Sequence, residues 1–291
     1  MSSLSATRQQ GKSKRKREEI FWAWFFITPL VAGLFFFYTL PTIAAFGLGF
    51  TSWDGLSTPI FNGVENFSRI MQDDKFIRSI WNTIVYTFAG VPVSIGLATI
   101  IAVLLNQKIK GVAFYRTIYF LPVITMPVAV AMLWKWLYNT DYGIINYLLG
   151  LINLPGFSWL LDERTALMSI VIVAIWSGVG YNVVILLAGL QGISRSYYEA
   201  AELDGAGPMR KFFNITLPLL TPSIFFATVI GIINSFKVFD IIYVMSPQRG
   251  SLLDTTRTMV YSIYEKGFTE FELGYAAAQS LVMFLFIFIV T

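Results

Sequence analysis

Residues 199–218 read E-A-A-E-L-D-G-A-G-P-M-R-K-F-F-N-I-T-L-P, from Glu199 to Pro218. The stretch is a polar interval between two long apolar runs. Its residues prescribe a helix, a sharp turn and a second helix. Ser196, followed three residues later by Glu199, has the form of a capping box, which starts a short helix. Ala200 and Ala201 are small and let another surface approach that helix closely. Asp204-Gly205-Ala206-Gly207-Pro208 is a cluster of breakers. Pro208 suits the first turn of the next helix, where a missing N–H costs little. Taken alone, Glu199 also reads as a plain cap and Gly205 as a plain turn glycine.

Working outward, the composition excludes an ordinary soluble domain. Apolar residues are 56% of the 291, aromatics 16% and charged residues only 13%, against roughly 25% charged in soluble domains. The apolar runs are long enough to cross a hydrocarbon core of about 30 Å at about 1.5 Å per residue. They predict an all-α bundle of six membrane spans, near Phe21–Phe46, Ile80–Leu105, Val112–Tyr138, Ala166–Leu190, Leu217–Val244 and Leu273–Thr291. Polar segments are expected near Gly47–Ser79, Asn139–Thr165 and Met245–Glu272. The last span reaches residue 291 without flanking charge, so either a short tail follows or that end is unanchored.

The first 19 residues are a basic tail, with Arg8, Lys12, Lys14, Arg15, Lys16 and Arg17. The run after them is too long for a cleaved signal peptide. Lys108, Lys110 and Arg116, and then Arg195, Arg210 and Lys211, share the tail's side of the bundle. The opposite segments are longer and hold fewer cations: Arg69, Lys75, Arg78, Arg164, Arg249, Arg257 and Lys266. The denser side is cytosolic. This places the N-terminus and the 199–218 loop in the cytosol of a multi-pass cell-membrane protein, and a membrane tail outranks a nucleic-acid one.

No His and no Cys occur, which removes histidine bases, thiolate metal sites and disulfides. No G-x-x-x-x-G-K-[ST] loop occurs either, so the chain should not itself hydrolyse ATP. No catalytic group and no metal site are expected.

The pattern E-A-A-x3-G-x9-I-x-L-P is carried by Glu199, Ala200, Ala201, Gly205, Ile215, Leu217 and Pro218. It resembles the cytoplasmic signature loop, residues 192–218 here, of permease subunits in bacterial ABC importers. Phe114–Pro122 with Trp134 and Trp136, and Gly274–Ser280, are similar to the carbohydrate-importing members, the maltose, multiple-sugar and glycerol-phosphate permeases. The resemblance implies a permease domain over 20–291, with a coupling helix between spans 4 and 5. It implies a heterodimer with a second homologous permease, separate cytosolic ATPase subunits that bind ATP-Mg, and an external solute-binding protein. No cofactor is implied on this chain.

Polar residues inside spans mark either helix–helix glue or a polar path. Span 4 carries Trp176, Gly178, Gly180, Tyr181 and Asn182; span 5 carries Asn234, Lys237 and Asp240 at three-residue steps. Aromatic faces and amides suit a sugar, and the resemblance puts its substrate stretches on Trp176–Asn182 and Asn234–Asp240. Lys237 and Asp240 also read as an ion pair at the end of span 5. Asn82 and Gln279 read as glue. In place of the family's Gly-Gly-Pro turn after span 5, this chain has Ser246-Pro247-Gln248-Arg249-Gly250. The same machinery importing a glycerol phosphodiester, an ion-coupled secondary transporter and a membrane-embedded enzyme are the rival readings. The secondary transporter calls for paired broken half-repeats, and the enzyme calls for clustered carboxylates at membrane depth.

Overall fold

The computed structural model describes residues 2–107, 111–247 and 250–291. Lys108 and Lys110, Gln248 and Arg249, and the side chains of the first 15 residues lie outside the described residues. Among the described residues the chain is helical almost throughout, with one two-stranded ribbon that pairs Thr51–Ser52 with Ile60–Phe61. Among the described residues five helices are long and apolar enough to cross a membrane: Lys16–Leu48, Asp74–Leu105, Ala166–Gln191, Pro208–Phe236 and Leu273–Val290. A bent pair, Val112–Ile124 and Pro127–Leu137, makes the sixth. These are spans 1, 2, 4, 5 and 6, with the pair as span 3.

Three elements depart from the expectation. Span 3 is not continuous; its halves meet at 99°. Pro127 opens the second half, and Thr125 and Met126 before it are extended, with ψ of 138° and 131°. A residue before proline is pushed out of the helical region, so the break is local chemistry. Span 5 starts earlier and stops sooner than expected. It ends at Phe236, and a separate short helix, Asp240–Met245, follows. Asn139–Thr165 is not simply polar, since it folds an apolar helix over Ile144–Leu151.

Spans 1 and 5 share a device. Leu40-Pro41 and Leu217-Pro218 are each preceded by a five-residue π turn, Phe35–Thr39 and Phe212–Thr216. In each, the leucine N–H reaches back five residues, to the carbonyls of Phe35 and Phe212. A proline ring collides with the carbonyl four residues before it. A wider turn just upstream relieves that collision without ending the helix.

The core is laid along spans 2 and 4. Toward the ends away from the signature loop, Tyr86, Ile170, Val171 and Val173 pack with Val130, Ala131, Ile242 and Met245. Toward the signature loop, Ala98, Ala102, Leu105, Val183, Leu186, Leu190 and Leu220 form a second cluster. Glycines let span 4 approach span 3, and span 6 approach the ribbon, closely. A Cβ on Gly180 would sit 2.0 Å from the Tyr119 carbonyl oxygen, and one on Gly274 would sit 2.0 Å from that of Thr51. Asn82 is glue in a literal sense: its amide donates to the carbonyls of Asp254 at 2.8 Å and Arg257 at 2.9 Å. Those bonds pin the segment after span 5 to span 2.

Candidate functional sites: the signature loop and a mid-membrane cavity

The signature loop folds as a capped helix, Arg195–Leu203. Its N-cap is Ser194, whose hydroxyl accepts from the Ser196 N–H. The cap therefore lies two residues before the expected Ser196, and the capping box of Ser196 with Glu199 does not form, because the helix begins earlier than that box requires. Gly205 sits at φ +72°. The Ala206 N–H donates to the Ala201 carbonyl at 2.8 Å, and the Gly205 N–H to that of Glu202 at 3.0 Å. This pair of bonds is a Schellman ending, in which the residue after the cap turns left-handed and glycine does so without strain. Ala201 and Ala206 are the two positions that touch in such an ending, which gives the second alanine of E-A-A a packing reason.

The loop is fastened to span 5 at two points. Lys211 Nζ pairs with Glu202 at 2.7 Å. The Tyr198 and Thr216 hydroxyls bond at 3.0 Å. Pro208 opens span 5 in its first turn. Ile215 and Leu217 are half-buried, whereas Glu199, Ala200, Gly205 and Pro218 are exposed. Leu203 is 91% exposed and Met209 74%.

A cavity of about 320 Å³ lies where span 3 bends. Pro122, Thr125 and Pro127 of the bend line it, facing Tyr86, Gly90 and Ser94 of span 2. Ser177, Gly178, Tyr181 and Asn182 of span 4 and Gly231, Asn234 and Ser235 of span 5 complete the polar lining. Among the described residues, no charged side chain lines it. The Asn182 amide donates to Ser94 Oγ at 3.1 Å, which fixes the amide's direction.

Of the residues singled out from sequence in spans 4 and 5, Gly178, Tyr181, Asn182 and Asn234 come together here, and four do not. Trp176 packs edge-on against Trp134, with ring centroids 5.5 Å apart. Gly180 faces the first half of span 3 at Tyr119. Lys237 caps the end of span 5, and Asp240 opens the next short helix. The break between them removes the common helical face, and the expected Lys237–Asp240 ion pair is absent among the described residues. The lining also includes Tyr86, Ser94 and Thr125, which the sequence reading missed. Tyr86, Gly90 and Ser94 repeat every four residues, a stripe that one helical face carries.

The chain matches the family described as "Binding-protein-dependent transport system inner membrane component" over residues 55–291. It is 38% identical over 285 residues to the probable ABC transporter permease protein YesP of Bacillus subtilis, covering 96% of this chain and 91% of that one. It is 35% identical over 274 residues to the sn-glycerol-3-phosphate transport system permease protein UgpA of Salmonella typhimurium, covering 92% and 86%. In fold it resembles a chain of a bacterial alginate ABC transporter solved with an alginate pentasaccharide-bound periplasmic protein. The TM-score is 0.83 at 22% identity, over 96% of this chain and 93% of that one. With the signature loop and the six apolar spans, these matches make the chain a member of the inner-membrane permease components of binding-protein-dependent ABC transporters.

Proposed function

We propose that the chain is one permease of an ATP-dependent importer of an uncharged sugar or oligosaccharide, and that it forms half of the translocation path. The observation that carries this is mechanical. Span 5 runs as one helix from Pro208, directly after the signature turn, to Phe236, and Asn234 near its far end lines the cavity. A push on the loop is therefore delivered to the cavity wall.

In this reading the loop, with Glu199 and the exposed Leu203, docks into a cytosolic ATPase subunit. Closure of the ATPases on ATP-Mg rocks the bundle, and a solute-binding protein delivers the ligand on the other side. A second, similar permease supplies the facing half. The N-terminus lies in the cytosol, in keeping with the distribution of Lys and Arg. The chemistry of the lining sets the ligand class. The Tyr181 ring offers a stacking face, and Asn182, Asn234 and the hydroxyls of Ser94, Thr125, Ser177 and Ser235 bond to hydroxyl groups. Among the described residues the lining holds no cation to balance a phosphate, which favours a neutral sugar over a glycerol phosphodiester.

The test is uptake into proteoliposomes holding the full complex, with labelled neutral oligosaccharides beside glycerol 3-phosphate. Tyr181→Ala and Asn234→Ala should leave complex yield intact and lower sugar uptake. Uptake driven by an ion gradient without ATP would refute the importer. Unchanged sugar uptake in both variants would move the site off this cavity.

A further inference from the structure

From Tyr142 to Leu161 the chain carries no Asp, Glu, Lys or Arg. This segment joins span 3 to span 4 at the end of the bundle opposite the signature loop. The other two connections at that end differ. One carries Asp54, Glu65, Arg69, Asp73 and Asp74; the other carries Asp254, Arg257, Glu265, Lys266 and Glu270. The uncharged segment is nevertheless folded. Its helix, Ile144–Leu151, starts at Gly143, which is packed so tightly against the end of span 3 that a Cβ would lie 2.5 Å from the Leu137 carbonyl oxygen. Asn146 closes the return of the chain: its amide donates to the carbonyls of Thr140 and Phe157, and its oxygen accepts from the Phe157 N–H and Trp159 Nε1. Trp159 stacks on Tyr138 at 5.1 Å, which ties the unit to span 3.

That tying leaves a bare apolar outer surface. Ile144, Tyr147, Leu148, Leu151, Ile152 and Leu154 are each between 42% and 67% exposed. We propose that this unit lies in the bilayer interface as a membrane-resting paddle, with lipid as its partner. Water is a poor partner for it, since contiguous exposed apolar patches in soluble surfaces are small. A solute-binding protein is a poor partner as well, because it departs each cycle and would leave the patch bare, and the two charged connections suit such a partner better. Lipid is always present, and Tyr and Trp favour that depth. Charge resumes at both borders of the segment, with Asp141 before it and Asp162, Glu163 and Arg164 after it. Because the unit has no cations, its attachment comes from apolar burial and not from lipid charge. The inference rests on the membrane fold and is independent of which solute is carried.

The chain has no cysteine, so a single Leu148→Cys or Leu151→Cys can carry an environment-sensitive NBD fluorophore. The complex, with partner subunits stripped of reactive cysteines, is placed in nanodiscs of neutral or partly anionic lipid. Thr58→Cys, in a charged connection, is the water-facing control. The expected result is blue-shifted emission at 148 and 151. It should be quenched by lipids with a nitroxide near the headgroup, shielded from iodide, and equal in both lipid compositions. Quenching by iodide as at position 58 would overturn the proposal. So would a blue shift seen only after the loaded binding protein is added, since that would make the face a protein dock. Two labelled positions guard against a single substitution that disturbs the helix, and neither readout depends on transport.

Discussion

The turn at Gly205 can be tested as an energy balance. At φ +72° an L-residue is strained, by about 1–2 kcal/mol for Ala and more for a β-branched side chain. An added Cβ meets nothing within 4 Å, so the penalty is backbone strain without a clash. Two ties oppose unwinding. The Lys211–Glu202 pair, with side-chain exposures of 19% and 67%, is a surface salt bridge worth about 0–1 kcal/mol. The Tyr198–Thr216 hydrogen bond contributes about 1 kcal/mol. In Gly205→Ala strain and ties nearly cancel, so the Schellman turn persists in part of the population. In Gly205→Val strain wins. Gly205→Asn should remain close to wild type, since Asn tolerates this conformation. The assay is ATP hydrolysis by the reconstituted complex, stimulated by loaded binding protein. The expected order is Gly, Asn, Ala, Val, with Glu202→Ala lowering the Ala variant further and the Asn variant little. Membrane insertion should be equal in all of them. Val matching Asn in stimulated hydrolysis would show that the left-handed turn has no part in coupling.

Four further outcomes follow from the packing and the charges. Gly180→Ala drives a methyl group into the Tyr119 carbonyl oxygen and Val123, and should cost about 1–3 kcal/mol as overpacking, read as a lowered Tm in detergent. Arg257 is 4% exposed between Asp254 and Glu265, which are 26% and 24% exposed. Arg257→Met should therefore cost toward the lower end of the about 3–5 kcal/mol of a broken buried pair, with part recovered in the double variant with Glu265→Gln. The N–H groups of Ser57 and Leu56 and the Ser57 hydroxyl hold the Asp54 carboxyl down to about 2. A depressed carboxylate stabilises its turn above the unfolded pKa of about 3.9, and that contribution is lost as pH falls toward 2; amide exchange at Leu56 and Ser57, corrected for intrinsic rate, should speed up there and not at pH 5. Single cysteines at Gln107 and Ser194 should label from the cytosol and one at Thr58 from outside, and labelling of Ser194 from outside would reverse the orientation.

Spans 2, 4 and 6 were legible because each is an unbroken apolar run bounded by polar residues or Gly. The bend in span 3 was hidden inside such a run. Pro122 and Pro127 were its signals, and a proline inside a span bends some helices and breaks others according to what packs beside it. The signature loop was readable residue by residue, since its bonds are local: Gly205 answers to Ala201 and Glu202 within one turn. Its cap was misread because Ser194 and Ser196 compete for the same role and sequence does not rank them. The cavity was half visible. Tyr181, Asn182 and Asn234 stand out as polar groups in apolar surroundings, but the three-residue steps from Asn234 to Lys237 and Asp240 give one face only in a helix that continues past Phe236, and span 5 ends there. Asn146 carries no local signal in the sequence. Its four bonds reach as far as Trp159, a distance that periodicity does not encode.

The π turn at Phe212–Thr216 sets an angular phase. It holds one residue more than the α-helical turn it replaces, and each residue in an α-helix advances the direction of its side chain by about 100°. The nine residues between Gly205 and Ile215 in the signature spacing include most of that wider turn. The spacing therefore works as a gear setting between two surfaces: it fixes which way the far end of span 5 points when the turn at Gly205 is held. Deleting Phe225 from the plain helix beyond that turn would leave the wide turn and the loop before it as they are. Everything beyond would rotate by about 100°, and Asn234 would swing out of the cavity toward the neighbouring helices. A chain so altered could still receive the push and would deliver it to the wrong wall.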